Sequence, residues 1–191
     1  MLISRKIKAH EHERFIAFNQ HNSGVEVTTA YLKNAQARIF VRSNAPDQWI
    51  AAYVVNTQPP YRCLSVLDDS ERDEVLSAKN LSANSFVEIT LLNRDRSIRW
   101  NFVERYQYYV MGIWDALKSG YPYLLGGTSN PRLLRDQMAV FDQILYEGEL
   151  NFFGQQKKVW LIYVSRNRAI RNLAKHLWEQ LWQTTRPTAP V

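Results

Sequence analysis

The most sustained pattern in the chain covers residues 98–119, where apolar side chains recur at 98, 102, 106, 109/110, 113 and 117. Steps of three and four residues bring these positions to one side of an α-helix, and Gly120 supplies a stop, so the spacing predicts a long amphipathic helix over 98–119. Just before it, residues 86–92 (FVEITLL) are apolar and β-branched over too short a run for a helix. They predict a central strand covered on both faces, interrupted by one carboxylate, Glu88. Upstream, residues 3–8 predict a first strand, 10–20 (with Phe15, Ile16 and Phe18) a helix closed by Gly24, and 28–34 a short helix. The β-rich runs 37–43 and 48–56 flank Asn44-Ala-Pro-Asp47, a strand-turn-strand signal that predicts a hairpin. The acidic stretch 68–74 sets cap residues and carboxylates at the positive end of a short helix.

Downstream, residues 121–126 predict another strand. Asn130-Pro131 then opens a helix, with Asn130 capping and Pro131 at the first helical position. Residues 144–153 and 158–164 predict two strands around Gly154-Gln-Gln. A helix over 167–184 closes the chain, with Ile170, Leu173, Leu177 and Leu181 on one face and Trp178 and Trp182 widening it.

A chain of 191 residues without repeats, low-complexity tracts or a Gly/Ser linker predicts one domain over 1–164. A C-terminal basic amphipathic helix over 165–185 would pack on it, followed by a tail at 186–191. At 46% hydrophobic and 22% charged, the composition excludes disordered and fibrous classes. The single cysteine, Cys63, excludes an internal disulfide and fits a reducing compartment. The N-terminus lacks an apolar leader and the longest apolar run, 49–55, is far short of a membrane span, so a cytoplasmic location and no transmembrane segment are expected. The formal charge is +6, and residues 157–191 supply all of it, with seven basic side chains against one acidic. Such a tail suits an acidic carrier protein, a phosphate-bearing ligand, nucleic acid or an anionic membrane, or is simply a solvated face.

The elements read β, α, α, β-hairpin, short α, β, long α, β, α, β-hairpin, terminal helix. With Glu88-Ile-Thr-Leu-Leu-Asn-Arg94 before the long helix and Tyr123-Leu-Leu-Gly-Gly-Thr-Ser129 after it, residues 1–164 resemble the GCN5-related N-acetyltransferase (GNAT) superfamily. Within it, the look is that of acyl-homoserine-lactone synthases and their acyltransferase relatives. The resemblance implies an α+β fold with a mixed, mostly antiparallel central sheet, flanking helices and one splayed parallel strand pair, here 86–92 and 121–126. An acyl thioester would lie in the V between them, its pantetheine amides paired with the strand edge at Thr90, Leu91 and Leu92. The resemblance also implies a pyrophosphate loop of Gln or Arg, two spacers, Gly, a spacer, then Gly or Ala. This chain has Arg94-Asp-Arg96-Ser97-Ile-Arg99: the first position matches, and Ser97 and Arg99 replace the small residues. Losing glycine keeps backbone amides away from a pyrophosphate, whereas three guanidinium forks restore an anion site. Asn130 completes the expected donor-binding set. Acyl-CoA and the single-phosphate phosphopantetheine arm of an acyl carrier protein both remain open as donor.

The implied chemistry is aminolysis of the thioester by a small-molecule amine. Glu88, on the face that period two shares with Phe86, Thr90 and Leu92, is the candidate general base; the alternative is a buried structural carboxylate. Seven residues after Asn130, where the superfamily commonly has a tyrosine as acid, stands Gln137. Tyr106, Tyr108, Tyr109 and Tyr146 are substitutes, and none is assigned. His10-Glu-His12-Glu reads as a polar first helical turn with no metal site, since no second ligand cluster has a supporting spacing. Cys63 with the distant histidines is a weak nucleophile signal. The terminal helix carries membrane or nucleic-acid chemistry on its basic side, but its apolar face predicts docking on the sheet, and the lack of base-stacking motifs argues against nucleic acid. The function implied is an N-acyltransferase. A catalytically idle relative binding an acyl thioester or protein partner is the alternative, and a basic peripheral module acting through its tail a third.

Overall fold

Short β-branched and apolar runs build seven strands into one sheet in the computed structural model, which describes residues 2–152 and 155–185. The strands are β1 (Leu2–Lys6), β2 (Ala35–Arg42), β3 (Ala51–Asn56), β4 (Phe86–Arg94), β5 (Tyr123–Thr128), β6 (Gln143–Phe152) and β7 (Gln155–Ser165). Their order across the sheet is β1-β2-β3-β4-β5-β7-β6. Every pairing is antiparallel except β4 with β5. This is the expected α+β architecture. Phe153 at the end of a predicted strand, Gly154 of the predicted turn, the tail at 186–191 and the side chain of Leu181 lie outside the described residues, while Gln155 and Gln156, predicted in that turn, already belong to β7.

Among the described residues six α-helices cover the sheet: α1 (His12–Ser23), α2 (Thr29–Asn34), α3 (Asp69–Ala78), α4 (Phe102–Lys118), α5 (Pro131–Gln137) and α6 (Arg166–Thr185). Gly24 ends α1 in the left-handed conformation at φ 68°, where a side chain would be strained, and its amide donates to the Gln20 carbonyl. Thr28, Asp68 and Asn130 cap α2, α3 and α5 through their side-chain oxygens. The long helix starts four residues later than its periodicity suggests. Asn101 Oδ1 accepts from the Glu104 amide at 2.9 Å and Glu104 Oε2 accepts from the Asn101 amide at 3.2 Å, and this capping box leaves Ile98 and Arg99 in the preceding loop.

The faces have separate cores. On one, α4, α5 and α6 meet Phe40, Tyr53, Val87, Ile89, Leu124 and Ile162. On the other, α1 and α2 cover Ile39, Val41 and Val54, while α3 and the segment 61–67 cover Phe86, Leu125 and Leu161. Because both faces are covered, all six residues of β3 are buried, as is most of β4. Buried Asp115 ties α4 to the sheet, accepting from Arg38 Nε at 2.7 Å and the Tyr53 hydroxyl at 2.8 Å. Burial, and then Asp115, push the Tyr53 phenol upward.

Candidate functional site

Parallel pairing joins Phe86, Val87 and Glu88 to Tyr123, Leu124 and Leu125. Beyond that point β4 continues to Arg94 and β5 to Thr128 without further register between them, so the strands part toward their C-terminal ends. Their outer edges stay paired, β4 with β3 and β5 with β7. The inner edge of β4 from Ile89 onward therefore borders an opening in the sheet.

A bulge shapes that edge. Val54 pairs with Thr90 and Ala52 with Asn93, so Leu91 and Leu92 together oppose Tyr53. Leu91 sits at φ 53°, a conformation that leucine adopts only where its surroundings enforce it. The extra residue resets the alternation of the strand. Period two assigns Leu92 to the Glu88 face and Leu91 to the opposite one, and the structure reverses both. Leu91 packs in the α1/α2 core and Leu92 against the α4 side, where Ile89 also lies.

Ile89 and Leu92 line a cavity of about 370 Å³ enclosed by α4, α5 and α6. Its wall is largely apolar, including Phe102, Tyr106, Tyr109, Ile113, Phe141 and Leu173, with Arg105 and Arg135 as cationic members. Gly112 faces the sheet where α4 crosses it, and a Cβ there would make ordinary contact, 3.9 Å from Ile89 Cγ2 and Tyr53 Cδ1. His176 of α6 stacks on Tyr106 at 6.0 Å between ring centroids, with its Nε2 3.3 Å from the phenol oxygen. Gln137, in the last turn of α5, also borders the cavity, and among the described residues its buried Oε1 has no hydrogen-bond partner.

On the opposite face of β4, Glu88 is 0% exposed. Its Oε1 accepts from the Cys63 amide at 2.5 Å, and its Oε2 from the Arg62 amide at 3.1 Å and the Tyr31 hydroxyl at 3.0 Å. The segment carrying those amides is pinned by the Tyr61 hydroxyl, which donates to the Phe86 carbonyl at 2.8 Å. Burial and the Glu88 charge push both the Tyr31 phenol and the Cys63 thiol upward, so each stays protonated at neutral pH. Arg62 lies over the Tyr31 ring, 5.7 Å from its centroid.

The overall fold is shared with proteins of known structure. No protein-family model matches the sequence, and no curated protein matches it. Solved structures do match. An N-acyl amino acid synthase from uncultured soil microbes superposes with a TM-score of 0.63 at 11% identity, covering 90% of this chain and 94% of that one. The Bacillus subtilis acetyltransferase in complex with CoA gives 0.56 at 15% identity, over 86% and 99%. A GNAT family acetyltransferase from Elizabethkingia anophelis with acetyl-CoA bound gives 0.55 at 13%, over 86% and 97%. The chain has the GNAT fold.

Of the residues expected to bind a donor, all but Asn130 lie on β4 and in the loop that follows it. Thr90, Leu91 and Leu92 occupy the free edge and its bulge. Arg94 ends β4, and Arg96, Ser97 and Arg99 lie exposed in the loop before α4. Asp95 Oδ1 accepts from the Ser97 amide at 2.9 Å and from its hydroxyl at 2.6 Å, which fixes the turn. The arginines precede the helix and do not sit at its first turn. That turn is held by Glu104, whose carboxylate takes Arg42 Nε at 2.9 Å and Arg42 Nη2 at 3.0 Å. Asn130 commits its side-chain oxygen to the Arg132 and Leu133 amides, at 2.9 and 3.4 Å.

Reading the sequence alone missed the part played by five residues. Tyr31 and the Arg62 and Cys63 amides reach Glu88 from 57, 26 and 25 residues away, and no local pattern marks such contacts. Gln137 stood out only as a replacement for tyrosine, not as an open acceptor. His176, on the terminal helix, reaches the cavity because α6 doubles back along α4, placing Arg166 Nε 3.2 Å from the Leu117 carbonyl at one end and His176 on Tyr106 at the other.

Proposed function

We propose that the protein is an N-acyltransferase that moves an acyl group from a thioester donor to an amine. The observation that supports this best is the opening between β4 and β5, bordered by the Leu91 bulge and continuous through Ile89 and Leu92 with the apolar cavity. Such a gap exposes strand-edge hydrogen-bonding groups beside an apolar chamber, an arrangement suited to an amide-bearing thiol arm. In this reading the donor's pantetheine amides pair with the β4 edge at Thr90, Leu91 and Leu92. The Arg94, Arg96 and Arg99 forks and Ser97 take its phosphate, and Gln137 Oε1 accepts from a donor N–H or O–H. With Ser97 and Arg99 in place of glycines, backbone amides contribute little to phosphate binding. A single-phosphate arm on an acyl carrier protein fits this loop better than the pyrophosphate of acyl-CoA.

In the reaction, the amine nitrogen attacks the thioester carbonyl carbon, the C–N bond forms, and the C–S bond breaks with the electron pair leaving on sulfur. A thiol with an ordinary pKa of about 8.5 leaves as thiolate without a strong acid, so Gln137 at the position of the usual phenol does not block the step. The ammonium proton passes to Glu88 by way of the Tyr31 hydroxyl, which receives it as its own proton moves to the carboxylate.

A second reading, a GNAT-fold protein that binds an acyl thioester without turning it over, is favoured by the depth of Glu88 and by Gln137. One measurement separates the two. The purified protein is mixed with acyl-CoA or acylated carrier protein and a panel of amines, and bound thioester and free thiol are followed by mass spectrometry. Amine-dependent thiol release with formation of the amide supports the enzyme; stoichiometric binding without release supports the second reading; failure to bind either thioester overturns both.

A further inference from the structure

We infer that α6 carries an anionic-membrane binding face on its outer side, through a stripe of Ile170, Ala174, Trp178 and Trp182 flanked by Arg171 and Lys175. The inference concerns the surface and stands apart from the acyl-transfer reading.

The helix has two apolar sides with different fates. Ala169 is buried, and Leu173 and His176 close the cavity. That inner side is the one docked on the sheet. Residues 170, 174, 178 and 182 follow one another in steps of four and form a second, solvent-facing line. Along it Trp178 is 67% exposed, Trp182 55% and Ile170 47%, and the two indoles stack with centroids 6.3 Å apart. An exposed apolar line of this kind, with two stacked indoles, marks a contact surface.

Charge selects the occupant. From Arg166 to Thr185 the helix has four cations and a single carboxylate, Glu179, which lies 3.8 Å from Lys175 Nζ. Arg168 pairs with Asp142 at 2.7 Å and Arg166 Nε donates to the Leu117 carbonyl at 3.2 Å, so the cations bordering the stripe are Arg171 and Lys175, the latter beside Glu179. Indoles beside cations on the outer side of a helix suit the headgroup boundary of an anionic bilayer, where the ring is accommodated and the charge meets lipid phosphate. An acidic protein would match the cations but leave the stacked indoles without an apolar counterpart. None of the described helices is long and apolar enough to cross a membrane, so the proposed contact lies in the plane of the interface.

The test is co-sedimentation of the full chain with phosphatidylglycerol/phosphatidylcholine vesicles and with pure phosphatidylcholine vesicles, at low and high salt. Adsorption is expected to the anionic vesicles, to weaken with salt, and to bring quenching of indole fluorescence by brominated lipid. Arg171→Gln with Lys175→Gln is expected to lower partitioning about 25-fold, from about fivefold per surface cation. Trp178→Ala with Trp182→Ala should abolish most of the brominated-lipid quenching while the circular dichroism spectrum is kept, because both side chains are exposed. Equal partitioning of wild type and both variants overturns the assignment to α6. Absence of vesicle binding also overturns it, as does an acidic carrier protein displacing the chain from no vesicle yet binding through Trp178.

Discussion

The backbone amide of Cys63 and the carboxylate of Glu88 meet at 2.5 Å, far apart in sequence and wholly buried in the fold. The contact makes Glu88 both the proposed proton acceptor and the anchor of segment 61–67. Glu88→Gln replaces a charge-assisted acceptor by a neutral amide whose NH₂ has to face either Tyr31 or a backbone amide. We expect a stability loss of about 1.5–3 kcal/mol together with loss of acyl transfer in the fraction that remains folded. Melting temperature and single-turnover rate, measured on the same preparation, check this. An unchanged rate in the folded variant leaves Glu88 as anchor only.

Gly127 of β5 meets the same segment from the other side. A Cβ there would lie 3.1 Å from Cys63 Sγ, 3.1 Å from Leu161 Cδ2 and 3.4 Å from the Trp160 carbonyl. Gly127→Ala is expected to destabilise by about 1–3 kcal/mol through overpacking. Cys63→Ala removes the sulfur and is expected to return part of that loss, so the double-mutant cycle in chemical denaturation should be non-additive. Additive effects would place the strain at Leu161 and Trp160 alone.

The cavity wall offers a more permissive glycine. At Gly112 an added Cβ has ordinary contacts at 3.9 Å, and the residue lies inside a helix, where glycine costs about 1 kcal/mol relative to alanine. Gly112→Ala should therefore raise stability by up to about 1 kcal/mol, while Gly112→Leu extends toward the cavity and Tyr53. Thioester binding measured by calorimetry is expected to survive the first substitution and to fall with the second.

Acid sensitivity follows from the ion pair at the start of the chain. Arg5 Nη1 and Nη2 donate to the two Glu11 oxygens at 2.7 and 2.6 Å, and the Lys8 amide adds a third bond at 2.8 Å. Chiefly through the Arg5 hydrogen bonds, the Glu11 carboxyl falls from an ordinary 4.5 to about 2. A folded-state pKa below the unfolded one gives stability that is present above about pH 4.5 and lost as pH falls through about 2. Melting curves of wild type and Glu11→Gln should differ at about pH 6 and converge across that window. A constant difference down to the lower limit would assign the effect to packing.

Which features could be read from the chain alone follows their range. The strand β4 declared itself by the apolar run 86–92, two residues short of its end at Arg94, and α5 by Asn130-Pro131, because both signals are local. The helix start did not: periodicity reaches back to Ile98, but the reciprocal Asn101–Glu104 cap, stabilised by Arg42 from β2, decides it at 102. The Leu91 bulge was hidden for a similar reason. A two-residue period carries no mark of an inserted residue, and it is the β3 register at Ala52 and Val54 that reveals it. Glu88 was conspicuous as a charge in an apolar strand, whereas the Tyr31, Arg62 and Cys63 groups that satisfy it come together only when α2 and segment 61–67 fold over the sheet.

The arginines before α4 test the donor side of the proposal. Arg94 and Arg96 are exposed, and the adjacent turn is organised by Asp95 and Ser97, so neutralising the arginines should leave the backbone of the loop in place. Glu104 already occupies the first turn of the helix, which leaves guanidinium forks as the main attraction for a phosphate. Each charge-assisted bond lost should weaken donor binding by about 1.5–3 kcal/mol, so Arg94→Gln with Arg96→Gln is expected to lower affinity by at least about tenfold and to flatten its dependence on salt. Arg96→Lys keeps the charge but not the fork and should fall between. Binding isotherms for CoA, phosphopantetheine and a carrier-linked arm, taken at two ionic strengths, distinguish these outcomes. Affinity that ignores both substitutions and salt would place the phosphate elsewhere than at the β4–α4 loop.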